Sequence, residues 1–289
     1  MDNGASRIFR TKRKSLPLGG QTHIVGILNL TPDSFSDGGQ FVDLDRAQEH
    51  FHKMISEGAS IIDIGGESTR PGHMPISVEE EIKRVLPFIE KIRGETDCLI
   101  SVDTSKSEVA EVCLKAGADI INDIRGGQGD PAMATTIANY DAACILMHNS
   151  EQGISDKGQL VEHIKDYLKQ SLDIALKAGV RAESICFDPG LGFGKSFEDN
   201  WEIMRNLDAF NAFEKPILLG ASRKSMIAKL LNLEDPKDRL SGTLATTALA
   251  AIHDVDFVRV HDVLENCHCL KVINPVSYTH LTLPTIYSV

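Results

Sequence analysis

Eight short apolar runs recur along this chain, and each ends in residues able to do chemistry. Residues 23–28 end at Asn29, 61–64 at Gly65-Gly66-Glu67, and 98–102 at Asp103. Residues 120–121 end at Asn122, 142–147 at His148, and 185–187 at Asp188. Residues 216–219 lead into Ser222-Arg223-Lys224-Ser225, and 257–260 carry Arg259 and end at His261. Turn residues and then helical patterns follow the runs. Alternation of this kind is the mark of βαβ units and a parallel sheet. Runs apolar on both faces suit a sheet buried on both sides. The fold expected is α/β, a parallel eight-stranded (β/α)8 TIM barrel. The C-terminal ends of all its strands meet on one face, where active sites of this fold sit. Residues more than two hundred positions apart then share one pocket.

Composition narrows the partners. The 289 residues carry a net charge of −11, with 42% hydrophobic and 25% charged residues. Nucleic-acid and membrane-surface binding need an extended basic face, so neither is expected. One local basic pocket for a small anion stays open. No apolar stretch has the roughly 18–20 residues that span a bilayer. Arg7, Arg10, Lys12, Arg13 and Lys14 precede no signal-length apolar core, so a cytoplasmic location is expected. The six cysteines, Cys98, Cys113, Cys144, Cys186, Cys267 and Cys269, do not resemble a disulfide framework. Three of them lie in strand-like runs, where thiols act as small hydrophobes. Cys267-His268-Cys269 has no second ligand pair nearby and does not read as a zinc site.

Helices are expected over 44–58, 77–92, 105–116, 159–178, 198–210, 224–231 and 238–253. Ser77 and Glu80 have capping-box spacing. Gly58, Gly117 and Gly179 stand where glycine ends helices. Residues 1–22 form an N-terminal extension, a lid or hairpin over the barrel bottom. Residues 23–272 form the barrel. The final helix starts near Asp262 and is broken at Asn274-Pro275, leaving 273–289 as an atypical tail outside the barrel. From Ser277 onward that tail has no Glu, Asp, Lys or Arg.

The loop Asn29 to Gly39 reads as a substrate loop with Asn29 fixed at a strand end, or more plainly as a surface turn. Arg70, beside Pro71 and Gly72, suits an anionic group at a loop, or a solvated guanidinium. Asp103, Asn122 and Asp188 end three strands. Buried unpaired polar groups cost about 1–3 kcal/mol, so these side chains hold a metal, read the edge of a heterocycle, or cap helices. A carboxylate accepting two parallel N–H bonds fits a 2-amino-pyrimidinone edge. At Ser222–Ser225, a helix N-terminus with Lys224 attracts anions. Arg259 and His261 alternate by two and point to one face. The segment from Asp188 to Ser196 fails the Walker spacing, because Gly190 leaves only three residues before Gly194-Lys195-Ser196. It reads instead as a flexible connection with Phe193 as an apolar wall. Gly126–Pro131 and 148–157 read as functional or mobile loops.

Together these segments resemble the dihydropteroate synthase family of pterin-binding barrels over roughly residues 23–272. The resemblance rests on 29–39, 67–72, 101–106, 122–124, 188–195, 222–225 and 259–262. It implies a homodimeric transferase of folate biosynthesis that joins 6-hydroxymethyl-7,8-dihydropterin diphosphate to 4-aminobenzoate, releasing diphosphate with Mg²⁺ present. By position, Asp103, Asn122, Asp188 and Lys224 would bond the pterin, and Met147, Phe193 and Gly220 would line its slot. Arg259 would stack on the ring and, with His261 and Arg70, hold diphosphate. Asn29 would hold Mg²⁺ and diphosphate. Phe35, Thr69, Pro71 and Ser225 would surround 4-aminobenzoate, where sulfonamides compete in the family, and Asp37 and Arg70 would close the loops. Asp103, Lys224 and Arg259 would carry catalysis. A pterin-barrel methyltransferase shares the Asp/Asn/Asp set but does not need the cations. A pterin-binding protein without catalysis and an unrelated phosphate-binding barrel are the other readings.

Overall fold

In the computed structural model, residues 7–31, 40–68, 74–149 and 157–277 are described. A two-stranded antiparallel hairpin comes first, β1 (Ile8–Arg10) and β2 (Ser15–Pro17). Eight parallel strands follow: β3 (His23–Asn29), β4 (Ile61–Gly65), β5 (Leu99–Asp103), β6 (Ile120–Asp123), β7 (Ala143–Met147), β8 (Ile185–Asp188), β9 (Leu218–Leu219) and β10 (Phe257–Val260). They lie in the order β8-β7-β6-β5-β4-β3-β10-β9, and a bridge between Phe187 and Ile217 joins the two ends. This is the expected barrel, and all eight apolar runs are strands.

The outer layer, among the described residues, is α1 (Gln40–Glu57), α2 (Val78–Ile92), α3 (Ser107–Ala116), α4 (Met133–Asn139), α5 (Leu160–Ala178), α6 (Phe197–Arg205), α7 (Ser225–Leu231), α8 (Leu240–Ile252) and α9 (Val263–Ser277). Gly117 and Gly179 close α3 and α5 in the left-handed region, where a Cβ is strained. Ser77 caps α2 by accepting from the Glu80 N–H, but the Glu80 carboxylate turns to Arg84 instead of completing the box. A reciprocal box occurs at α6, between Ser196 and Asp199. The helix expected over 198–210 is two pieces, α6 and a 3-10 segment Leu207–Phe213. Helix α4, which the sequence did not indicate, packs against α3 and α5 and buries Met133, Ala134 and Ile137.

Strand alternation sorts the barrel into layers. Along β4, Ile61 faces the inner apolar cluster and Ile62 and Ile64 face the helices, so Asp63 and Gly65 face inward by the period of two. The lower part of the interior is an apolar cluster: Val25, Ile61, Leu99, Ile120, Ala143, Ile145, Cys186, Leu218 and Phe257. Phe9, Leu16 and Leu18 of the hairpin region close it from below, with the Phe9 ring edge-on to Phe257 at 5.3 Å. The N-terminal extension is therefore a hairpin over the barrel bottom, fastened by Arg7 to buried Asp256 at 3.0 Å. At the other end, α9 runs on to Ser277 and takes Pro275 into its last turns, contrary to the break expected at Asn274-Pro275. Leu270 and Ile273 pack on the core immediately before that proline, and this packing carries the helix past it. Residues 278–289 of the expected tail lie outside the described residues.

Candidate active site

Parallel register assembles the site. Asn29 lies beside Gly65, Gly65 beside Asp103, and Asp103 beside Asn122. Across the barrel Met147 lies beside Asp188. All but Gly65 are residues expected in the site, and they share the rim. Arg259 points inward from β10, two positions above Phe257.

The far wall converges at Gly220. A Cβ placed there would lie 3.8 Å from Asp188 Oδ2, 3.9 Å from Lys224 Nζ and 4.0 Å from Arg259 Cβ. Glycine thus leaves open the one spot these three side chains surround. Asp188 Oδ1 accepts from the Gly190 N–H at 2.7 Å. Lys224 donates to the Leu191 carbonyl and stands 4.8 Å from the Phe193 ring centre. Arg259 donates from Nε to Asp63 Oδ2 at 2.6 Å and from Nη2 to Asp103 Oδ2 at 2.9 Å. Asn122 Nδ2 donates to the same Asp63 oxygen at 2.9 Å.

Burial dominates the electrostatics. It pushes Asp103 up to about 7, against the opposing Arg259 and with Asp63 adding to the rise. It raises Asp188 as well, opposed by Lys224 and the Gly190 N–H. Lys224 is lowered to about 8 by burial, with Asp188 resisting. Burial pulls on Arg259 too, but Asp63 and Asp103 outweigh it and its value rises. The mouth therefore holds one acid, Asp103, and one base, Lys224, shifted toward neutrality, a condition that clusters at functional sites.

Ser222 accepts from the His261 backbone N–H at 3.2 Å and meets His261 Nδ1 at 3.0 Å. One hydroxyl thus fastens both the backbone and the ring of His261 at the end of β10. Arg223 turns away from the mouth and pairs with Asp262. Helix α7 has only seven residues, with Lys224 as its N-cap and exposed Ser225 at its start. Phe35, Asp37, Thr69, Arg70 and Pro71 lie outside the described residues. The base of their second loop is tied down: Lys106 pairs with Glu67 and, at 2.5 Å, with buried Glu81, while Arg84 donates to the Gly66 carbonyl at 2.9 Å.

The connection 189–195, expected to be flexible, is fastened from inside. Lys195 Nζ meets the Gly190 carbonyl at 2.7 Å, the Phe193 carbonyl at 3.0 Å and His148 Nδ1 at 2.9 Å. Neither Lys195 nor Asp63 was singled out from the sequence. Asp63 does carry a local signal, an acid at an inward position of an apolar run.

Among the described residues no cluster of three or more His, Cys, Asp or Glu side chains has metal-binding geometry. Asn29 offers a side-chain oxygen there, 3.4 Å from where a Gly65 Cβ would sit, with the Glu67 carbonyl 3.9 Å from the same point. One amide oxygen fits a hard cation that takes its remaining ligands from phosphate and water, the habit of Mg²⁺. It does not make a site that holds metal unaided.

Buried acids beside Lys224 and Arg259 at a barrel mouth are what the resemblance to pterin-binding barrels implies. The family model for pterin binding enzymes matches residues 25–261. The dihydropteroate synthase of Clostridium beijerinckii is 50% identical over 260 residues, covering 90% of this chain and 96% of that one. That of Bacillus subtilis is 44% identical over 270 residues, 93% of each chain. A crystal structure of the Clostridium difficile dihydropteroate synthase, obtained in the presence of pteroic acid, superposes with a TM-score of 0.87 at 49% identity. It covers 90% of this chain and 98% of that one. The Xanthomonas albilineans enzyme with 4-aminobenzoic acid gives 0.90 at 35% identity, over 97% and 100% of the two chains. The chain belongs to the dihydropteroate synthase family, the transferases of that name in folate biosynthesis.

Proposed function

We propose that this mouth condenses 6-hydroxymethyl-7,8-dihydropterin diphosphate with 4-aminobenzoate to give 7,8-dihydropteroate and diphosphate. The observation that carries the reading is the meeting of Asp188, Lys224 and Arg259 around Gly220. A flat ring over that glycine meets a carboxylate for its amino-amide edge and cations for its carbonyl and leaving group. Asp103 and Asn122 take the opposite edge, and Met147 and Phe193 line the slot. Arg259, His261 and Arg70 hold the diphosphate, and Asn29 would hold Mg²⁺ beside it. A bound Mg²⁺ would supply positive charge against the leaving group. Phe35, Thr69, Pro71 and Ser225 surround 4-aminobenzoate, with Asp37 closing the first loop, and a sulfonamide competes there.

The chemistry needs no protein nucleophile. The bond between the exocyclic methylene and the diphosphate oxygen breaks with its electron pair on oxygen. The arylamine forms the new C–N bond and gives up a proton. Cations spread along the departing anion, and Asp103 opposes positive charge growing on the ring, so the protein's work is electrostatic. Preorganised groups of this kind are each worth about 3 kcal/mol at a transition state.

The test is direct. Purified protein with both substrates and Mg²⁺ is assayed for dihydropteroate by mass, with 4-aminobenzoate omitted as the control. Diphosphate released in that control identifies a stepwise order. Asp103→Ala and Lys224→Ala each lower turnover by about a hundredfold or more, with the far-UV spectrum of the barrel retained. No product from wild-type protein ends the reading.

Leu230 and Leu231 of α7, Leu249 and Ile252 of α8 and Leu264 of α9 are 40–60% exposed. Large apolar side chains on three consecutive helices favour a homodimer over that face. Sedimentation of the wild type beside Leu230→Glu checks it. The six cysteines are free, as suits a reducing cytoplasm.

A further inference from the structure

Asp63 has no place in the reaction as just described, yet it is the least exposed acid of the mouth, at 0%. It faces inward from the middle of β4, one inward position below Gly65, and its register partners are Ile27 and Ser101. It therefore lies under the rim, not on it. Its Oδ2 alone receives both Asn122 Nδ2 at 2.9 Å and Arg259 Nε at 2.6 Å. Each of those side chains has a second end. A planar amide whose nitrogen donates to Asp63 turns its oxygen the other way, so Asn122 offers the mouth its carbonyl oxygen as an acceptor. A guanidinium held at Nε keeps its outer nitrogens for other partners, and here Nη2 occupies Asp103 Oδ2 at 2.9 Å.

We propose that Asp63 is a positioning residue of the pterin site: it fixes which atom Asn122 shows the ligand and holds Arg259 by Nε while the ligand takes over Asp103. Asp103 is 7% exposed; its Oδ2 accepts from Arg259 Nη2, while its Oδ1 has no partner among the described residues and is open to a ligand. A ligand edge that takes both oxygens competes with Nη2, and the Nε bond to Asp63 keeps the guanidinium at the mouth, beside the ring and leaving group. Without Asp63 the amide of Asn122 is free to turn over, and Arg259 is left with Asp103 as its acid partner in the mouth. Both changes oppose pterin and leave 4-aminobenzoate untouched. This inference rests on the pterin reading of the site.

Binding of 6-hydroxymethylpterin to the full-length protein is measured by calorimetry, and KM for each substrate by steady-state kinetics. Asp63→Asn keeps the volume and removes the charge. It weakens pterin binding by about tenfold or more, the loss usual for a buried charged hydrogen bond. Its KM for 4-aminobenzoate stays within about twofold of wild type, whereas general loosening of the barrel moves both. The exchange Asp63→Asn with Asn122→Asp restores one amide and one carboxylate across the same contact, with an oxygen again facing the ligand. The exchanged protein recovers most of the lost affinity. Should Asp63→Asn alone not fold, the exchanged protein decides: pterin binding supports the proposal, and a folded protein that does not bind overturns it. Asp63→Asn binding within twofold of wild type also overturns it. Wild type that fails to bind 6-hydroxymethylpterin sinks the functional reading itself, a separate result.

Discussion

Nδ1 of His148 lies 2.9 Å from Nζ of Lys195, although the two residues are 47 positions apart. Burial, with Lys195 and His163 adding, pulls His148 down to about 2, so its imidazole is neutral. Lys195 also meets the Gly190 and Phe193 carbonyls. An ammonium has three protons for these three acceptors. Burial lowers Lys195 to about 7, with Asp188 opposing. Above that value an amine donates to the two carbonyls and accepts from a His148 tautomer protonated at Nδ1. The contact survives in either form. It holds the segment whose Leu191 carbonyl receives Lys224 and whose Phe193 ring lies beside it.

Lys195→Met fills the same space with nothing to donate. Unsatisfied buried carbonyls cost about 1–3 kcal/mol each, so the melting temperature falls by several degrees. Lys224 loses its register, and KM for the pterin substrate rises about tenfold. Thermal melts and steady-state kinetics check both. An unchanged KM would mean that the loop keeps its shape without the clamp.

Pterin binding follows a bell with pH. Asp103, raised to about 7, is protonated in the free site below that value, and a ligand edge that donates N–H bonds prefers the carboxylate. Affinity therefore falls as pH drops below about 7. Lys224, lowered to about 8, loses its charge above that value, and a ligand carbonyl prefers the ammonium. Affinity falls again on that side. Each limb is at most about tenfold per pH unit, and the two midpoints belong to the coupled set of charges. Calorimetry of 6-hydroxymethylpterin from pH 5.5 to 9.5 maps the curve, and Lys224→Gln removes the alkaline limb beyond the ligand's own titration. The unliganded fold shows the opposite trend at Asp103. Its folded value lies above the unfolded value of about 3.9, so its stabilising contribution is full below about 4 and lost as pH rises through about 7. Asp103→Asn accordingly gains in melting temperature over wild type at pH 8 more than at pH 5.

The rim residues were legible because they punctuate apolar runs. An acid or amide where a strand should end, repeated at Asp103, Asn122 and Asp188, needs only the barrel to bring the ends together. Asp63 escaped because Ile61-Ile62-Asp63-Ile64 reads as one continuous run unless the inward period is followed. Lys195 escaped for a different reason. Lysine next to glycine is normally solvated, and the carbonyls and imidazole that bury it are set by tertiary structure. Helix α4 is short and carries Thr135 and Thr136, weak helix formers, so packing and not propensity makes it. Pro275 signals a break by local chain chemistry alone, and the packing of Leu270 and Ile273 overrides that signal.

The hairpin is a structural plug and no part of the chemistry. Phe9 is fully buried beneath the barrel against Phe257, far from the rim along the strands. Phe9→Ala leaves a cavity that the rigid barrel floor does not fill, and costs about 3–5 kcal/mol. Urea denaturation measures the loss. Both KM values remain at wild-type levels under conditions where the variant is folded, because Phe9 packs in the apolar cluster at the barrel floor, below the rim that carries the site. A change in KM would connect the floor to the mouth.

Gly220 gives the sharpest separation of fold from function. A methyl group there finds its nearest neighbours at 3.8–4.0 Å, ordinary contact distances. The fold therefore accepts Gly220→Ala, and restricting the unfolded chain offers a small gain of about 0.4–1 kcal/mol. The same methyl stands among Asp188, Lys224 and Arg259, where the plane of the ring must rest. Lifting a ring by about an ångström lengthens every in-plane hydrogen bond it makes, and bonds are weak beyond about 3.5 Å. The variant melts at or slightly above wild type, while its affinity for 6-hydroxymethylpterin falls about tenfold or more. A folded Gly220→Ala protein that binds like wild type would place the ring elsewhere in the mouth and remove the convergence at this glycine from the account of the site.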